Sequence, residues 1–468
     1  MSVLEELVGC IVNTDFTKLE PETLERARYC LLDALGCGLL GSSLPEGRAL
    51  SSAMHSLCPD GSAPVWGTAM TLPADQCALA CGTFCHMREL DDVHYSIVHP
   101  GAVCVPAAVA VAHTESLTLG QLLRALVIGY EVMVRVSKGT NYINHRRLGW
   151  HATASCGSFG AAAATASLLV LDARRFAWAL GIAGSRTGGT WAFAADGSMS
   201  KRLHPGLASR DGVLSAYLAR AGFTGPVRVL EAEDGGFFRA TSDEWNLEEV
   251  TAGWGKSWAI DEVEFKWYAA CKSVHSPVEA AMQIRENAKR RGKQIAPLVI
   301  RQVTVRVNST ALSMAGGMYD PASVASAQIS IPYGVAVALL GGECDETDYT
   351  PQKLNDSEIF SLASKVRVVA DSELDELRVR EHKSAAEVVV TWDNGEEESC
   401  RVQDPKGSLG HPISKEMLIS KFLRLASAVI GTKRARELCE LVTRGTADTA
   451  VRRLTALLAV PEEMEVRD

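Results

Sequence analysis

The sequence predicts a mainly α protein, a large all-helical domain joined to a smaller α+β domain. Three observations carry that expectation. Apolar residues recur at helical spacing from Leu4 to about Gly222, strand-like alternation begins only after about residue 260, and amphipathic helix returns near the C-terminus. The expected boundaries are 1–265 for the helical domain, completed by helices in 406–468, and 266–405 for the α+β domain.

LERARYCLLDALGCGLL spaces Leu24, Ala27, Cys30, Leu31, Ala34 and Leu35 at helical intervals. PADQCALACGTFCHMREL, AVCVPAAVAVAHTE, TLGQLLRALVIGYEVMVRVSKG and DARRFAWALGIAGS continue the pattern, with Gly, Pro and Ser breaks between them. Several are Ala-rich and apolar most of the way round, so they belong inside a layered core of other helices. VIRQVTVRVNST alternates branched and polar residues over Val299–Val307, as a half-buried strand does. VVVTWDNGEEESCRV sets two strand runs about the turn Asp393-Asn394-Gly395, a hairpin signal. KVRVVAD is a shorter strand, and VASAQISIPYGVAVALLGG reads as helix despite Pro332. SKEMLISKFLRLASAVI and TADTAVRRLTALLAV are amphipathic helices expected to pack back on the first domain.

With 468 residues, 47% of them hydrophobic, the chain can bury the cores of two soluble domains. Its formal charge of −9 argues against a broad basic surface for nucleic acid or anionic lipid. An anionic ligand would need a local basic pocket working against the overall field. Of thirteen cysteines, Cys77, Cys81 and Cys85 fall four apart on one helix face, where they read as buried thiols rather than a metal cluster. The odd count without a disulfide framework suits a reducing compartment, the cytoplasm by default, with an organelle such as the mitochondrion left open. The acidic N-terminus lacks a secretory signal's basic start. The run His151–Leu171 has no Asp, Glu, Lys or Arg, yet its Ala, Gly, Ser and Thr content suits a tightly packed interior helix better than a membrane span.

Four stretches hold side chains that a buried helical domain does not normally choose. ELDDVHYSIVHPG supplies Glu89, Asp91, Asp92 and His99, the last just before the Pro-Gly that opens a helix. LGWHATASCG supplies His151; DGSMSKRLHPG supplies Lys201, Arg202 and His204; FKWYAACKSVHSPVEAAM supplies Lys266, Lys272 and His275. Each sets polar or basic residues beside a helix N-terminus, where free N–H groups and the helix dipole favour carboxylates. One such site is common; four together point to a pocket for a polyanion. Singly, each has a plainer use: a histidine as cap or core residue, Lys201-Arg202 as a solvated pair, Asp91 and Asp92 as helix caps or partners of nearby bases.

A divalent metal on Asp91, Asp92, His94 and His99 is disfavoured, because adjacent carboxylates on a helix diverge by about 100° and HExxH spacing is absent. No G-x-S-x-G nucleophile elbow supports a serine hydrolase, and no Gly-rich phosphate loop is present.

Taken together, in order and over nearly the whole chain, ELDDVHYSIVHPG, GWHATASCGSFGAAAA, SKRLHPGLASRDG and KWYAACKSVHSPVEAA resemble the MmgE/PrpD family of 2-methylcitrate dehydratases, cis-aconitate decarboxylases and iminodisuccinate epimerases. The resemblance implies a large helical domain that includes the C-terminal helices, an α+β lid, a homodimer and no organic cofactor. It places the family's catalytic positions on His99, His151, Lys201 and His275, with Glu89, Asp91, Asp92, Arg202, His204 and Lys272 around the substrate and no metal. Glu89 stands where many members have Asp, and Val93 where vertebrate decarboxylases have a small hydroxyl residue; Tyr333 only neighbours their later active-site tyrosine in sequence. The ELDD, KR-x-H and YAAC-x3-H versions look nearer to fungal cis-aconitate decarboxylases than to enterobacterial methylcitrate dehydratases.

The implied activity is a lyase on a small tricarboxylate, by decarboxylation or dehydration. The alternatives are a dicarboxylate epimerase of the iminodisuccinate type and a non-catalytic relative that binds a carboxylate ligand. The lyase and epimerase chemistries all make or quench a carbanion beside a carboxylate, which needs fixed positive charge and a proton donor or acceptor. Lys201 and His151 would clamp carboxylates, and His99 or His275 would move the proton.

Overall fold

The computed structural model describes residues 1–460; the last eight residues of the expected span 406–468 lie outside the described residues. The larger layer is built around α1 (Pro21–Ser43), α2 (Ala74–Cys85), α3 (Pro100–Thr114), α4 (Leu119–Gly139), α5 (Gly157–Leu168), α6 (Ala173–Arg186) and α7 (Ser200–Arg220). The uncharged run becomes α5, which touches α3, α4, α6 and α7 and is buried along its length except at Ser167. A helix apolar all round needs such an enclosure to hide every face from water. α2 and α7 cross where Gly82 meets Gly206: a Cβ on Gly206 would lie 2.3 Å from the Leu79 carbonyl oxygen, and one on Gly82 2.9 Å from Gly206 Cα. That close approach seats the first turns of α7, with Lys201 and Arg202, against the end of α2.

The expected helix through CHMREL stops at Cys85. Residues beyond it cross the core in bends and bridges, with Glu89 (φ 53°) and Ile97 (φ 62°) in left-handed backbone. For non-glycine residues this is a costly conformation, held only by strong local partners.

The smaller part begins with α8 (Lys272–Arg290), then β1 (Ile300–Val307), α9 (Ile331–Leu339), β2 (Val366–Ala370), α10 (Ser372–Glu381), β3 (Ala386–Trp392) and β4 (Glu397–Val402). The sheet order is β2-β1-β3-β4. β1 pairs parallel with β2, which requires a crossover, and α9 lies in that connection. β3 pairs antiparallel with β1 and β4, the latter across the Asp393–Gly395 turn. β3 buries alternate residues, and α8 packs on β3 and β4. The stretch containing Pro332 is two helices rather than one, because Ser330 caps α9 and Pro332 sits in its first turn, where a missing N–H costs no internal bond.

α11 (Lys415–Ile430), α12 (Thr432–Arg444) and α13 (Val451–Leu458) return to the helical layer: α11 packs on α1 and α13 on α3. Among the described residues no helix is long and apolar enough to cross a membrane. All thirteen cysteines are free thiols.

Candidate active site

His99 is the N-cap of α3, and Pro100 occupies the first helical position, where it needs no N–H. The side chain of Asp92 supplies the cap: its Oδ1 accepts from the Gly101 N–H at 2.8 Å, while Oδ2 accepts from the buried Tyr130 hydroxyl at 2.8 Å. A Cβ on residue 101 would stand 2.7 Å from Asp92 Oδ1, so the glycine of the HPG motif is what admits the carboxylate. Burial, with Asp33 adding to it, pushes the Asp92 carboxyl up to about 7 against the pull of Tyr130 and the Gly101 N–H. The plainer alternative, helix capping, therefore describes the geometry of Asp92.

Asp91 behaves differently. Its Oδ2 is 2.8 Å from His86 Nδ1 and 3.3 Å from His99 Nδ1. Burial opposes its ionisation, but the two imidazoles hold it well below the usual carboxylate range. His99 Nδ1 is also 2.7 Å from the Asp92 carbonyl oxygen, which can only accept, so Nδ1 carries the proton and Nε2 is the free nitrogen of the neutral ring. His99 borders a cavity of about 160 Å³ between the helical layer and the smaller part.

Glu89 is the hub on the other side. It accepts from Lys201 Nζ on Oε1, from Arg202 Nη1 on the same oxygen at 2.6 Å, and from Lys266 Nζ on Oε2 at 3.0 Å. Its oxygen Oε1 is also 3.6 Å from His86 Nε2. Burial alone would raise its pKa; Lys201, Lys266, His86 and Arg202 together hold it well below the ordinary value. Lys266, where burial works downward, is raised by Glu89 and Asp91. Three cations on one buried carboxylate leave this corner with positive charge in excess.

His151 opens a short helical turn, Ala152–Ser155, and its Nδ1 lies 2.9 Å from His204 Nδ1, so one proton sits between the two rings. Trp191 and Phe193 close over His151 at 5.5 and 5.7 Å between ring centroids. Burial drives the His151 pKa well below its ordinary value, and His204 and Lys201 add to that. Burial and Lys201 take His204 down to about 4.

The structure therefore joins His99, His151, Lys201, Arg202, His204, Glu89 and Asp91 in one cluster, with His86 in its middle at 4.7 Å from the His99 ring and 6.1 Å from that of His151. His275 stands apart. It lies on the first turns of α8, with Nε2 3.1 Å from the Ala270 carbonyl oxygen and its ring 5.2 Å from Tyr268. Its Nδ1 is buried without a hydrogen-bond partner. Burial, Lys272 and Lys266 hold its pKa well below the ordinary value. The link to the cluster runs through Gln328, whose amide donates to the Arg88 and Ala269 carbonyls and accepts from Arg202 at 2.5 Å. Lys272 lines the cavity in an ion pair with Glu264 at 2.8 Å.

His86, Asp91 and His99 present ligand atoms within 4.8 Å of one another, the spacing of a metal site. The short contacts among them are those of Nδ1–H groups facing a shared carboxylate, and the cations on Glu89 next to them disfavour a further positive ion. Sequence reasoning missed His86, which follows a stretch read for its thiols; the available signal was a histidine three residues before Glu89. It also missed Gln328 and Lys421. Lys421 Nζ donates to Asp33 Oδ1, Leu90 O and Lys266 O at 2.6–2.8 Å and so ties both site segments to α11.

Compared with known proteins, residues 5–250 match the MmgE/PrpD N-terminal domain and residues 268–444 the MmgE/PrpD C-terminal domain. The chain is 29% identical to the cis-aconitate decarboxylase-like protein oryM of Aspergillus oryzae, over 98% of this chain and 97% of that protein. It is 26% identical to the cis-aconitate decarboxylase of Homo sapiens, over 99% and 96%. With the 2-methylcitrate dehydratase of Salmonella typhimurium it shares 27% identity over 77% and 76%.

Proposed function

The chain belongs to the MmgE/PrpD family, and from that premise we propose that it is a cofactor-independent lyase acting on a small tricarboxylate, of the cis-aconitate decarboxylase or 2-methylcitrate dehydratase type. The observation that carries the reading is the convergence of Lys201, Arg202 and Lys266 on one buried carboxylate beside the His86–Asp91–His99 chain. A preorganised cationic corner next to a histidine with a free nitrogen is what carbanion chemistry beside a carboxylate requires.

In this reading Lys201 and Arg202, with Lys266 behind them, hold substrate carboxylates, and His151 orients one of them. His99 Nε2 exchanges the proton, and His275 Nδ1 offers a second nitrogen with a free lone pair on the side of the smaller part. In decarboxylation the bond to one carboxylate carbon breaks and carbon dioxide departs. The electron pair left behind is delocalised toward a carboxylate held by the cations, and His99, which has first taken a proton from solvent on Nε2, gives that proton to carbon. In dehydration an imidazole removes the proton beside the carboxylate, and a second, protonated imidazole gives its proton to the departing hydroxyl, which leaves as water. Residues 266–405 form the lid over the site. The family resemblance supports a homodimer, which size-exclusion chromatography with light scattering checks. The free thiols suit the cytoplasm.

Incubation with cis-aconitate, 2-methylcitrate and iminodisuccinate, with products identified by mass spectrometry, tests the proposal. Loss of carbon dioxide from cis-aconitate or of water from 2-methylcitrate is the expected result. Inversion of iminodisuccinate with both tricarboxylates untouched would replace it by the epimerase reading, and no conversion of any of them would overturn it.

A further inference from the structure

No chemical step above is assigned to His86, yet it lies at the centre of the cluster. It caps the C-terminus of α2, is fully buried and does not line the cavity. Its Nδ1 faces Asp91 Oδ2 at 2.8 Å; its Nε2 has no hydrogen-bond partner and stands 3.6 Å from Glu89 Oε1. The same Asp91 oxygen faces His99 Nδ1 at 3.3 Å. Among the described residues these two imidazoles are the side chains that reach the Asp91 carboxylate, and its Oδ1 is unpartnered.

We propose that His86 is a positioning residue: by donating to Asp91 it divides that carboxylate between two rings and so sets how strongly Asp91 favours the protonated form of His99. The inference rests on the reading of His99 as the acid/base group. A carboxylate beside an imidazole stabilises the imidazolium, and each competing donor on the carboxylate weakens that pull. Burial drives the His86 pKa to about 4 despite Asp91 and Glu89, so near neutral pH it supplies an N–H and no charge. The other charged or titratable groups around the pair are Glu89 and Asp92 on their own segment, His151 and Asp33 from the helical layer, and the ammonium groups of Lys266 and Lys421, with Lys201 meeting His86 only across Glu89 Oε1. On the cavity side, which His99 borders, stand His94, Glu262, Glu264, Lys272, Arg378 and Lys383. None of these donates to Asp91.

The pair His86→Leu and His86→Asn separates this role from simple packing. The asparagine amide nitrogen stands near the place of Nδ1 and keeps the bond to Asp91, while leucine fills space and donates nothing. The His99 ring is followed in the intact, substrate-free protein by NMR of carbon-13-labelled histidine, with His99→Gln for assignment. In H86L its titration is expected to move upward by about half a pH unit or more, and in H86N to stay within about 0.2 units of the wild type. The acid limb of kcat/KM is expected to move in the same direction in H86L only. If H86L does not fold, His86→Gln, whose amide reaches the Nε2 position instead, carries the same expectation. An unmoved His99 in H86L or H86Q, or equal shifts in H86N, would overturn the proposal. Because the NMR readout needs no substrate, a wild type that converts no tricarboxylate would sink the lyase reading and leave this result to stand or fall alone.

Discussion

Glu89→Gln removes the one negative charge that holds Lys201, Arg202 and Lys266 together, at a residue with no exposure to solvent. The amide oxygen can still accept from Lys201 and Arg202, but the amide N–H₂ then faces the Lys266 ammonium, donor against donor. Leaving buried charges without their partner costs about 3–5 kcal/mol. Glu89→Asp keeps the charge and is one methylene shorter, so it loses about one charge-assisted hydrogen bond, worth about 1.5–3 kcal/mol. In a chain of this size unfolding is not assumed two-state, and the assay is the thermal midpoint at a fixed scan rate. The expected order is wild type, then E89D, then E89Q. Citrate should also raise the midpoint of E89Q more than that of the wild type, because an added carboxylate replaces the missing charge. Ligand at a hundred times its Kd stabilises by about 2.7 kcal/mol, enough to see. An E89Q midpoint within about a degree of the wild type would refute the reasoning, since a loss of about 3 kcal/mol cannot hide in so small a shift. So would equal citrate shifts in the two proteins.

Two further perturbations test the frame around the site. Asp92 has a folded-state pKa of about 7 against an ordinary 3.8, so its contribution to stability is fully present below 3.8 and is lost as pH rises through 7. Glu89 and Asp91, held well below their ordinary values, stay ionised and contribute a constant term over pH 5–8. Asp92→Asn, which cannot ionise, should therefore show a smaller drop in thermal midpoint from pH 5 to pH 8; the difference accrues between pH 5 and pH 7, at about 1.4 kcal/mol per pH unit, and an equal drop would contradict the assignment. Lys421→Met strands Asp33 in the core and should cost about 3–5 kcal/mol, whereas the double variant D33N/K421M, which removes both charges, should unfold at a higher temperature than K421M.

The helical layer was legible because its signals are local. The uncharged run that became α5 cannot meet water on any face, and Asp393-Asn394-Gly395 turns the chain with Gly395 at φ 85°. The residues that gather at the site were legible as types, through the recurrence of a base beside a helix start. What each does was not. Asp91 and Asp92 are neighbours in sequence, yet one caps α3 and the other joins two imidazoles, a division set by Tyr130 and His86 from other elements. His86 was hidden because helical periodicity assigned its neighbours to packing, and the helix ends one residue before it. Gln328 and Lys421 reach the site across 240 and 331 residues of chain, and a lone glutamine or lysine carries no periodic signal of such a contact. Pro332 misled only about continuity: the proline was compatible with helix, but as a first-turn residue of a new one.

The most direct test of the central claim is turnover of cis-aconitate and 2-methylcitrate by His99→Ala and Lys201→Ala beside the wild type. Circular dichroism and the thermal midpoint confirm that each variant is folded. The expected result is conversion of one of these acids by the wild type and a loss of about 10²–10⁴-fold in kcat for H99A, the usual worth of a general acid/base, with a comparable loss in K201A. Folded variants that turn over substrate at the wild-type rate would contradict it.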